Sequence, residues 1–271
     1  MPVDEDARVI ANTRLSADYN VIALEAPGIA AAARPGQFAM VKPAPGTDPL
    51  LRRPFSIFQV LRGSGGPSGI TFLNKRTGSG TALLYEAEPG ARVACLGPLG
   101  TPFEPVAPPA EAWMVAGGVG LAPFVTLAEA LAERRTPAAL FYGGRQAADL
   151  YHVELFEALG VRTVLATEDG SRGARGFVTG PLGDALRAHR GAGLRLYACG
   201  PTPMMRACAA LAAAHGARCD VSLEPVMGCG MGGCYSCVVP CLEHGRAHFV
   251  RACVDGPVFD ASRIVWDALA H

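Results

Sequence analysis

The stretch AWMVAGGVGLAPFVTLAEALAERR, residues 112–135, decides the fold of the central part of the chain. An apolar run enters a glycine-rich turn, and the residues after the turn have the apolar periodicity of a helix. This order is typical of a nucleotide-binding α/β unit, in which glycines let the backbone approach a pyrophosphate at the helix N-terminus. The turn reads G-G-x-G-x-x-P and not G-x-G-x-x-G. Taken alone, it therefore also fits a tight turn that binds no ligand.

Further strands and helices alternate after this unit. The segments AALFYGG (138–144), VRTVLATEDG (161–170) and LRLYACGP (194–201) have the composition of strands, and segments with helical periodicity separate them. This alternation predicts a doubly wound parallel sheet. Cys199 ends the last of these strands, at the sheet edge where ligands bind in such folds, and fits either packing or a binding site.

The first hundred residues have a different pattern. Alternating stretches separated by Pro- and Gly-rich turns predict an antiparallel sandwich or barrel, with strands at Val21–Leu24, Phe38–Lys42, Phe55–Val60 and Ile70–Asn74. The segment RGSGGPSG (62–69) is expected to form a loop or hairpin tip, and PFEPVAPP (102–109) is the best candidate for a domain boundary. From about Val221 the chain is a small Cys- and Gly-rich region with one late strand at His248–Cys253.

Composition narrows the class of protein. The chain has 271 residues, half of them hydrophobic, and 24 basic residues balance 24 acidic ones, so no overall field favours nucleic acid or a membrane surface. The acidic start MPVDEDARVIANTRL has no long apolar run, and we expect neither a targeting peptide nor a membrane span. We therefore expect a cytoplasmic protein. Because thiols stay reduced in the cytoplasm, nine cysteines favour metal or redox chemistry over disulfides.

The run CGMGGCYSCVVPC (229–241) carries four of these cysteines. Three of them and one later cysteine have the spacing C-x4-C-x2-C-x15-C, which is the plant-type [2Fe–2S] signature; they are Cys229, Cys234, Cys237 and Cys253. Interspersed glycines let such a loop adopt positive φ angles and bring backbone N–H groups close to sulfur.

Other chemistries for these thiols stay open. A zinc site would need a second C-x2-C pair or paired histidines, and a thioredoxin-type dithiol would need a βαβ context. Cys241 is the alternative fourth ligand, but its spacing matches no plant-type arrangement, so we favour Cys253. Cys95, Cys208 and Cys219 are most simply small buried apolar residues.

Several motifs along the chain occur together in a known family. They are RRPFS (52–56), GSGT (78–81), GPLG (97–100), AGGVGLAP (116–123), TEDGSRGARGFVT (167–179), YACGP (197–201), VSLE (221–224), the cysteine loop and CVDGPVF (253–259). In this order the chain closely resembles the electron-transfer subunit of class 1B dihydroorotate dehydrogenase, within the ferredoxin reductase superfamily. The resemblance covers nearly the whole length, and the cysteine module with TEDGS narrows it beyond the superfamily.

The resemblance implies three domains and three cofactors. These are an FAD-binding β-barrel (1–103), an NAD-binding α/β domain (104–220) and a [2Fe–2S] domain (221–271). It implies that FAD is bound by Arg53, Pro54, Phe55, Ser56, Asn74, Lys75, Arg76, Gly78, Gly80 and Thr81. It implies that NAD is bound by Gly117, Gly118, Gly120, Cys199, Gly200 and Pro201, with Cys199 near the nicotinamide. Arg145 would also suit a 2′-phosphate, which keeps NADP open.

The resemblance further implies electron traffic without an essential side-chain acid or base. The partner would be an FMN-containing dihydroorotate dehydrogenase catalytic subunit, in a heterotetramer of pyrimidine biosynthesis, with no nucleic acid or membrane involved. Two alternatives remain open. One is a flavin and iron–sulfur reductase subunit with another partner, of the NAD(P)H:ferredoxin or hydrogenase-associated kind. The other is a zinc-stabilised nucleotide-binding regulator without redox activity.

Overall fold

Seven antiparallel strands form the N-terminal sheet of the computed structural model, which describes residues 1–191 and 193–269. The strands are β1 (Val3–Arg14), β2 (Tyr19–Glu25), β3 (Phe38–Lys42), β4 (Arg53–Ser56), β5 (Gln59–Gly63), β6 (Gly66–Lys75) and β7 (Arg92–Leu99). Their spatial order is β4-β3-β7-β1-β2-β6-β5, and helices α1 (Pro27–Ala32) and α2 (Ser79–Glu86) lie between strands in the sequence. Inward-facing apolar side chains such as Ile22, Leu24 and Phe72 form the core.

The segment between β4 and β5 joins the two ends of this sheet. The predicted strand Phe55–Val60 is wrong as a single element, because the chain changes partner at its centre. The Ile57 N–H donates to Gln37 O, whereas the Phe58 N–H donates to Thr71 O on β6. Since β4 pairs with β3 and β5 pairs with β6, the sheet curls into a half-barrel. The predicted antiparallel barrel is confirmed, as is the hairpin between β5 and β6.

Three asparagines on neighbouring strands hold α2 against the barrel. Asn20 Nδ2 donates to Asn12 Oδ1 at 2.6 Å, and Asn74 Nδ2 donates to Asn20 Oδ1 at 2.7 Å. Asn12 also donates to the backbone carbonyls that end α2, at Leu84, Tyr85 and Ala87. Asn74 donates to Thr81 O near the helix start. Both ends of the helix are therefore tied to the sheet through amide side chains.

The central part of the chain forms the predicted parallel sheet. Its strands are β8 (Glu111–Gly117), β9 (Ala138–Gly144), β10 (Arg162–Thr167), β11 (Ala174–Arg175), β12 (Leu194–Cys199) and β13 (Arg218–Ser222). The connecting helices are α3 (Phe124–Glu133), α4 (Val153–Ala158), α5 (Thr179–Ala188) and α6 (Thr202–Ala214). Residues 112–116 of β8 are fully buried or nearly so, as expected for a strand covered on both faces.

The C-terminal region contains a hairpin, a short helix and an edge strand. These are β14 (Val238–Glu243), β15 (Arg246–Arg251), α7 (Ala252–Asp255) and β16 (Val258–Asp260). The last of these pairs antiparallel with β13 at the end of the sheet β11-β10-β9-β8-β12-β13-β16. The predicted strand His248–Cys253 is wrong at its end, because the Arg251 N–H donates to the Asp255 carboxylate and the chain turns into α7 there.

Contacts divide the chain into two compact units. The first unit comprises Met1–Pro102, Pro225–Val238 and Arg251–Pro257, and the second comprises Phe103–Glu224, Val239–Val250 and the residues from Val258 onward. The boundaries of the three predicted domains stay a prediction. No helix in the described part of the chain has the length and apolar character needed to cross a membrane.

The asparagine network predicts a specific loss of stability. Replacing the fully buried Asn20 by leucine leaves Asn12 Oδ1 without its donor, and we expect the free energy of unfolding to fall by about 2 kcal/mol. The matched control is Thr71→Val on β6. Among the described residues the buried Thr71 hydroxyl has no hydrogen-bond partner, so this control is expected to be neutral or stabilising. Urea unfolding checks both variants, and equal losses would contradict the network.

Candidate functional site

The RPFS motif and the GSGT turn meet in the first unit. The motif is strand β4, at the edge of the half-barrel, where Pro54 pairs with Met40 and Ser56 with Phe38. The turn lies at the start of α2. A Cβ on Gly80 would stand 3.4 Å from Arg53 Cγ and 3.5 Å from Arg53 Nε. The structure therefore brings two motifs together that are 22 residues or more apart in the sequence.

Arg53 and the start of α2 have the chemistry of an anion site. The Arg53 guanidinium donates to backbone carbonyls, at 2.7 Å to Leu51 O and 3.4 Å to Arg52 O. Among the residues that the structure describes, no carboxylate pairs with it. The first N–H groups of a helix also lack partners inside the helix and favour negative charge. A guanidinium that has no carboxylate partner among the described residues, beside such a helix end, fits the pyrophosphate of FAD.

Thr81 shapes the turn in front of α2. Its hydroxyl accepts from the N–H groups of Thr77 at 2.8 Å and Gly78 at 3.0 Å, and donates to Gly78 O. A Cβ on Gly78 would meet open space. Thr81 therefore fixes the backbone of the turn through its own hydroxyl.

The three residues predicted beside the flavin face different surroundings. The Asn74 side chain points into the barrel, where it belongs to the asparagine network. The Lys75 Nζ lies 5.4 Å from the centre of the Tyr19 ring. Arg76 stacks on Tyr85 and pairs with Asp18 at 3.6 Å. Contact of these side chains with a flavin stays a prediction.

The two glycine turns of the second unit meet at the carboxyl ends of β8 and β12. These strands are neighbours, and β9 lies on the other side of β8, so the strand order reverses at this point. A Cβ on Gly120 would stand 2.2 Å from Cys199 O, and one on Gly117 would stand 2.8 Å from Pro201 Cδ. Only glycine permits this approach. Open α/β sheets bind nucleotides at such a reversal, outside the strand ends.

The remaining residues of this edge complete the two turns. Gly118 has a φ of +56° and Gly200 a φ of +147°, both in the region that favours glycine. Pro201 precedes α6. The Cys199 thiol is fully buried, burial raises its pKa well above the ordinary value, and its Sγ lies 3.9 Å from Glu224 Oε1. Contact of Cys199 with a nicotinamide stays a prediction.

Two features of this edge went unrecognised in the sequence. The Tyr142 hydroxyl, at the end of β9, donates to Gly118 O at 3.3 Å and Asp149 O at 3.1 Å, so this side chain supports the glycine turn. A tyrosine that ends a buried strand beside two glycines is the signal that points to it. In the TEDGS motif, Asp169 accepts from Ser171, and these hydrogen bonds lower the Asp169 pKa. The motif therefore forms a defined loop after β10.

The four predicted cluster cysteines all lie in the first unit. Cys229, Cys234 and Cys237 belong to the loop Pro225–Val238, and Cys253 lies in α7. The Met231 N–H points at Cys229 Sγ at 3.4 Å, and the Gly232 N–H points at Cys253 Sγ at 3.2 Å. Donors aimed at sulfur are what a thiolate-bound cluster needs.

The four thiols lie close enough to affect one another's pKa. A hydrogen bond from Ser236, and beyond it the Cys229 thiol, lowers the pKa of Cys234 to about 6. Burial, and after it the neighbouring Cys237 thiol, raises the pKa of Cys253 to about 12. Cys234 therefore interacts with Cys229, and Cys253 interacts with Cys237 and, more weakly, with Cys229.

Zinc and a [2Fe–2S] cluster require different arrangements of ligands. Within residues 1–191 and 193–269, no three His, Cys, Asp or Glu side chains are grouped about a single ion position. Structural zinc takes four ligands about one ion, whereas a [2Fe–2S] cluster shares four thiolates between two irons. The four cysteines supply the number of thiolates that a [2Fe–2S] cluster needs.

The cysteine loop packs on the half-barrel. Gly230 has a φ of +74°, and a Cβ there would stand 2.4 Å from Met40 Cγ and 3.2 Å from Leu99 Cδ1. Met40 in turn pairs with Pro54 of the RPFS strand. Strand β3 therefore contacts the cysteine loop through Met40 and pairs through its backbone with the predicted flavin strand β4.

Cys241 belongs to the other unit. It is fully buried in β14, where its backbone bridges to Ile264. Cys253 lies in the same unit as the other three predicted ligands, and its role as the fourth ligand stays a prediction.

The contact between Gly120 and Cys199 yields a test of the nucleotide site. In Gly120→Ala the new methyl group collides with Cys199 O, so we expect NADH affinity to fall at least about ten-fold and the free energy of unfolding to fall by about 2 kcal/mol. Gly180→Ala is the control, because a Cβ there meets open space in helix α5. Calorimetric NADH titration and urea unfolding decide, and unchanged affinity in Gly120→Ala would contradict the placement of the site.

Comparisons with known proteins agree with this geometry. Residues 224–265 match the family model of the iron-sulfur cluster binding domain of dihydroorotate dehydrogenase B, and residues 114–210 match that of the oxidoreductase NAD-binding domain. The chain is also similar to a solved structure described as an NADH-dependent reduced ferredoxin-NADP oxidoreductase, which was studied for flavin-based electron bifurcation. The TM-score is 0.84 at 28% sequence identity, and the alignment covers 98% of this chain and 91% of the solved chain.

Curated relatives are similar over almost the full length. The dihydroorotate dehydrogenase B (NAD(+)) electron transfer subunit of Desulforamulus reducens is 37% identical over 263 residues, which cover 97% of this chain and 98% of the relative. The subunit of the same name from Geobacillus kaustophilus is 40% identical over 235 residues, covering 86% and 87%. The chain belongs to the family of dihydroorotate dehydrogenase B electron transfer subunits.

Proposed function

We propose that this protein carries electrons between a dihydroorotate-oxidising catalytic subunit and NAD+ in pyrimidine biosynthesis. The observation that carries the proposal is the packing of the cysteine loop on β3, the strand that pairs with the RPFS motif. Electron transfer requires redox centres held close together. Three thiols in the cysteine loop, a fourth in α7 and an anion site for a flavin nucleotide lie within one compact unit, which meets this requirement.

The bound groups supply the redox chemistry, and the protein supplies their placement. When bound, FAD and a [2Fe–2S] cluster provide the change between two-electron hydride chemistry and one-electron transfer. Arg53 and the start of α2 bind the flavin pyrophosphate, and Gly117, Gly120 and Gly200 bind NAD(H) through their backbone. The cluster ligands are Cys229, Cys234, Cys237 and Cys253. None of these roles uses a side chain as an acid or base.

The partner follows from the family. The relatives are named as electron transfer subunits of dihydroorotate dehydrogenase B, a name that requires a catalytic subunit. We propose an FMN-containing catalytic subunit, a heterotetramer of two copies of each subunit, and a cytoplasmic setting, in which the cysteines stay reduced. No disulfide joins any of the nine cysteines, all of which lie in the described part of the chain, and this agrees with such a setting.

A second partner class has one specific observation in its favour. The structure with a TM-score of 0.84 is described as a reduced ferredoxin-NADP oxidoreductase, and Arg145 is exposed after β9, where a 2′-phosphate is a suitable ligand. The second candidate is therefore a reductase subunit that exchanges electrons between NADP(H) and a ferredoxin.

One assay distinguishes the two candidates. The chain is co-expressed with an FMN-containing dihydroorotate dehydrogenase subunit from the same genome, and the purified complex is given dihydroorotate and either NAD+ or NADP+. We expect NAD+ reduction that depends on both subunits, with flavin and cluster bands in the visible spectrum. An assembled complex that reduces neither nucleotide, or that prefers NADP+ with ferredoxin as donor, would count against the pyrimidine role. A colourless zinc protein would overturn both candidates.

The fourth ligand is tested separately in the purified chain. Cys253→Ser is expected to lose the [2Fe–2S] electron paramagnetic resonance signal of the dithionite-reduced protein and more than half of its bound iron. Cys241→Ser removes a buried thiol that lies outside the loop unit, and it is expected to keep both. The reverse pattern would exchange the roles of the two cysteines.

A further inference from the structure

Arg251 contacts the cysteine loop from outside the ligand set. It lies at the end of β15, two residues before Cys253, and about a third of its side chain is exposed. Its Nη1 donates to Gly232 O at 3.1 Å. Its guanidinium carbon lies 5.3 Å from the centre of the Tyr235 ring, within the range of a cation–π contact. One side chain thus contacts the loop at two points.

Both residues that Arg251 contacts have a backbone with positive φ. Gly232 has a φ of +78°, and its own N–H donates to Cys253 Sγ, so the guanidinium holds the carbonyl of the same residue whose amide faces sulfur. Tyr235 has a φ of +58°, a conformation that costs energy in a residue with a side chain, and it lies between Cys234 and Cys237. Its ring is largely exposed and packs under the guanidinium.

A carboxylate orients Arg251. Asp255 Oδ2 accepts the backbone N–H of Arg251 at 2.9 Å and lies 3.9 Å from its Nε. The turn from β15 into α7, which places Cys253, therefore also places the guanidinium. Asp255 adds one negative charge beside the positive one, so the two residues act on the field at the loop with opposite sign.

We propose that Arg251 is a positioning residue that holds the cysteine loop in its ligating conformation and raises the reduction potential of the cluster. This inference rests on the proposed function, because it requires a [2Fe–2S] cluster in the loop. Reduction adds negative charge to thiolate-bound iron, and a fixed guanidinium stabilises the reduced form more than the oxidised form. A hydrogen bond to the loop and the stacked ring keep that charge in place.

Four variants of the full chain separate charge from packing. Arg251→Gln removes charge and stacking, Arg251→Lys keeps the charge but loses the planar guanidinium, and Asp255→Asn removes the opposing charge while keeping an acceptor. Arg92→Gln is the matched control, because Arg92 is an exposed arginine of the same unit that donates to Asp6 O on the barrel. Anaerobic redox titration followed by electron paramagnetic resonance measures the cluster midpoint, and iron release to a chelator measures loop stability.

The expected shifts have opposite signs. Arg251→Gln is expected to lower the equilibrium constant for cluster reduction about ten-fold, which is about 59 mV to more negative potential for a one-electron couple. Arg251→Lys keeps a midpoint near that of the unmodified protein but releases iron faster. Asp255→Asn moves the midpoint to less negative potential, and Arg92→Gln changes neither quantity.

Defined results would overturn the inference. An unchanged midpoint in Arg251→Gln, or equal shifts in Arg251→Gln and Arg251→Lys, removes the role of the charge. Iron release from Arg251→Lys at the rate of the unmodified protein removes the positioning role. If Arg251→Gln does not fold, the Asp255→Asn midpoint decides, and no shift there rejects the proposal. An unmodified protein without any cluster signal rejects the proposed function instead, so the two failures are distinguishable.

Discussion

The contact of Gly230 with Met40 and Leu99 is the constraint on which the arrangement of the first unit depends. Because a Cβ would stand 2.4 Å from Met40 Cγ, any other residue would force either the Met40 side chain or the cysteine loop to move. The same principle holds the nucleotide edge together, where Gly120 meets Cys199 O. In both units the backbone of a glycine packs directly against a neighbouring segment. The site can form only because no side chain occupies the space between them. Such positions tolerate few substitutions although no side chain acts there.

The elements that could be predicted from the sequence are those that local pattern determines. Buried strands β8, β9 and β12 are continuous apolar runs, and the cysteine spacing reflects a loop whose length is set by its ligands. The break within Phe55–Val60 could not be foreseen in this way, because Ile57 and Phe58 are both buried and differ only in the distant strands that their amides reach. The predicted strand through Cys253 is wrong at its end because Asp255, four residues after Arg251, accepts the Arg251 N–H and the chain turns into α7.

The candidate sites show the same division. Motifs predicted to act together do meet, as Arg53 and Gly80 demonstrate. The direction in which an individual side chain points is harder to predict from the sequence. Asn74 follows a strand pattern, but whether its amide faces a cofactor or the interior depends on Asn20, which lies on another strand. Tyr142 and Arg251 carry no motif of their own. Their contacts with the glycine turn and the cysteine loop exist only once separate segments have come together.

The four predicted cluster cysteines lie on two separate segments of the chain, and the hairpin between these segments belongs to the other unit. Residues 225–238 and 251–257 join the barrel, whereas 239–250 do not, so neither unit is one continuous stretch of chain. During synthesis the half-barrel is therefore complete long before its iron site, whose proposed fourth ligand is residue 253 of 271. A cluster with all four proposed ligands can therefore form only after residue 253 has been synthesised. A chain that stops just before residue 253 contains all seven strands of the half-barrel but only three of the four proposed sulfur ligands.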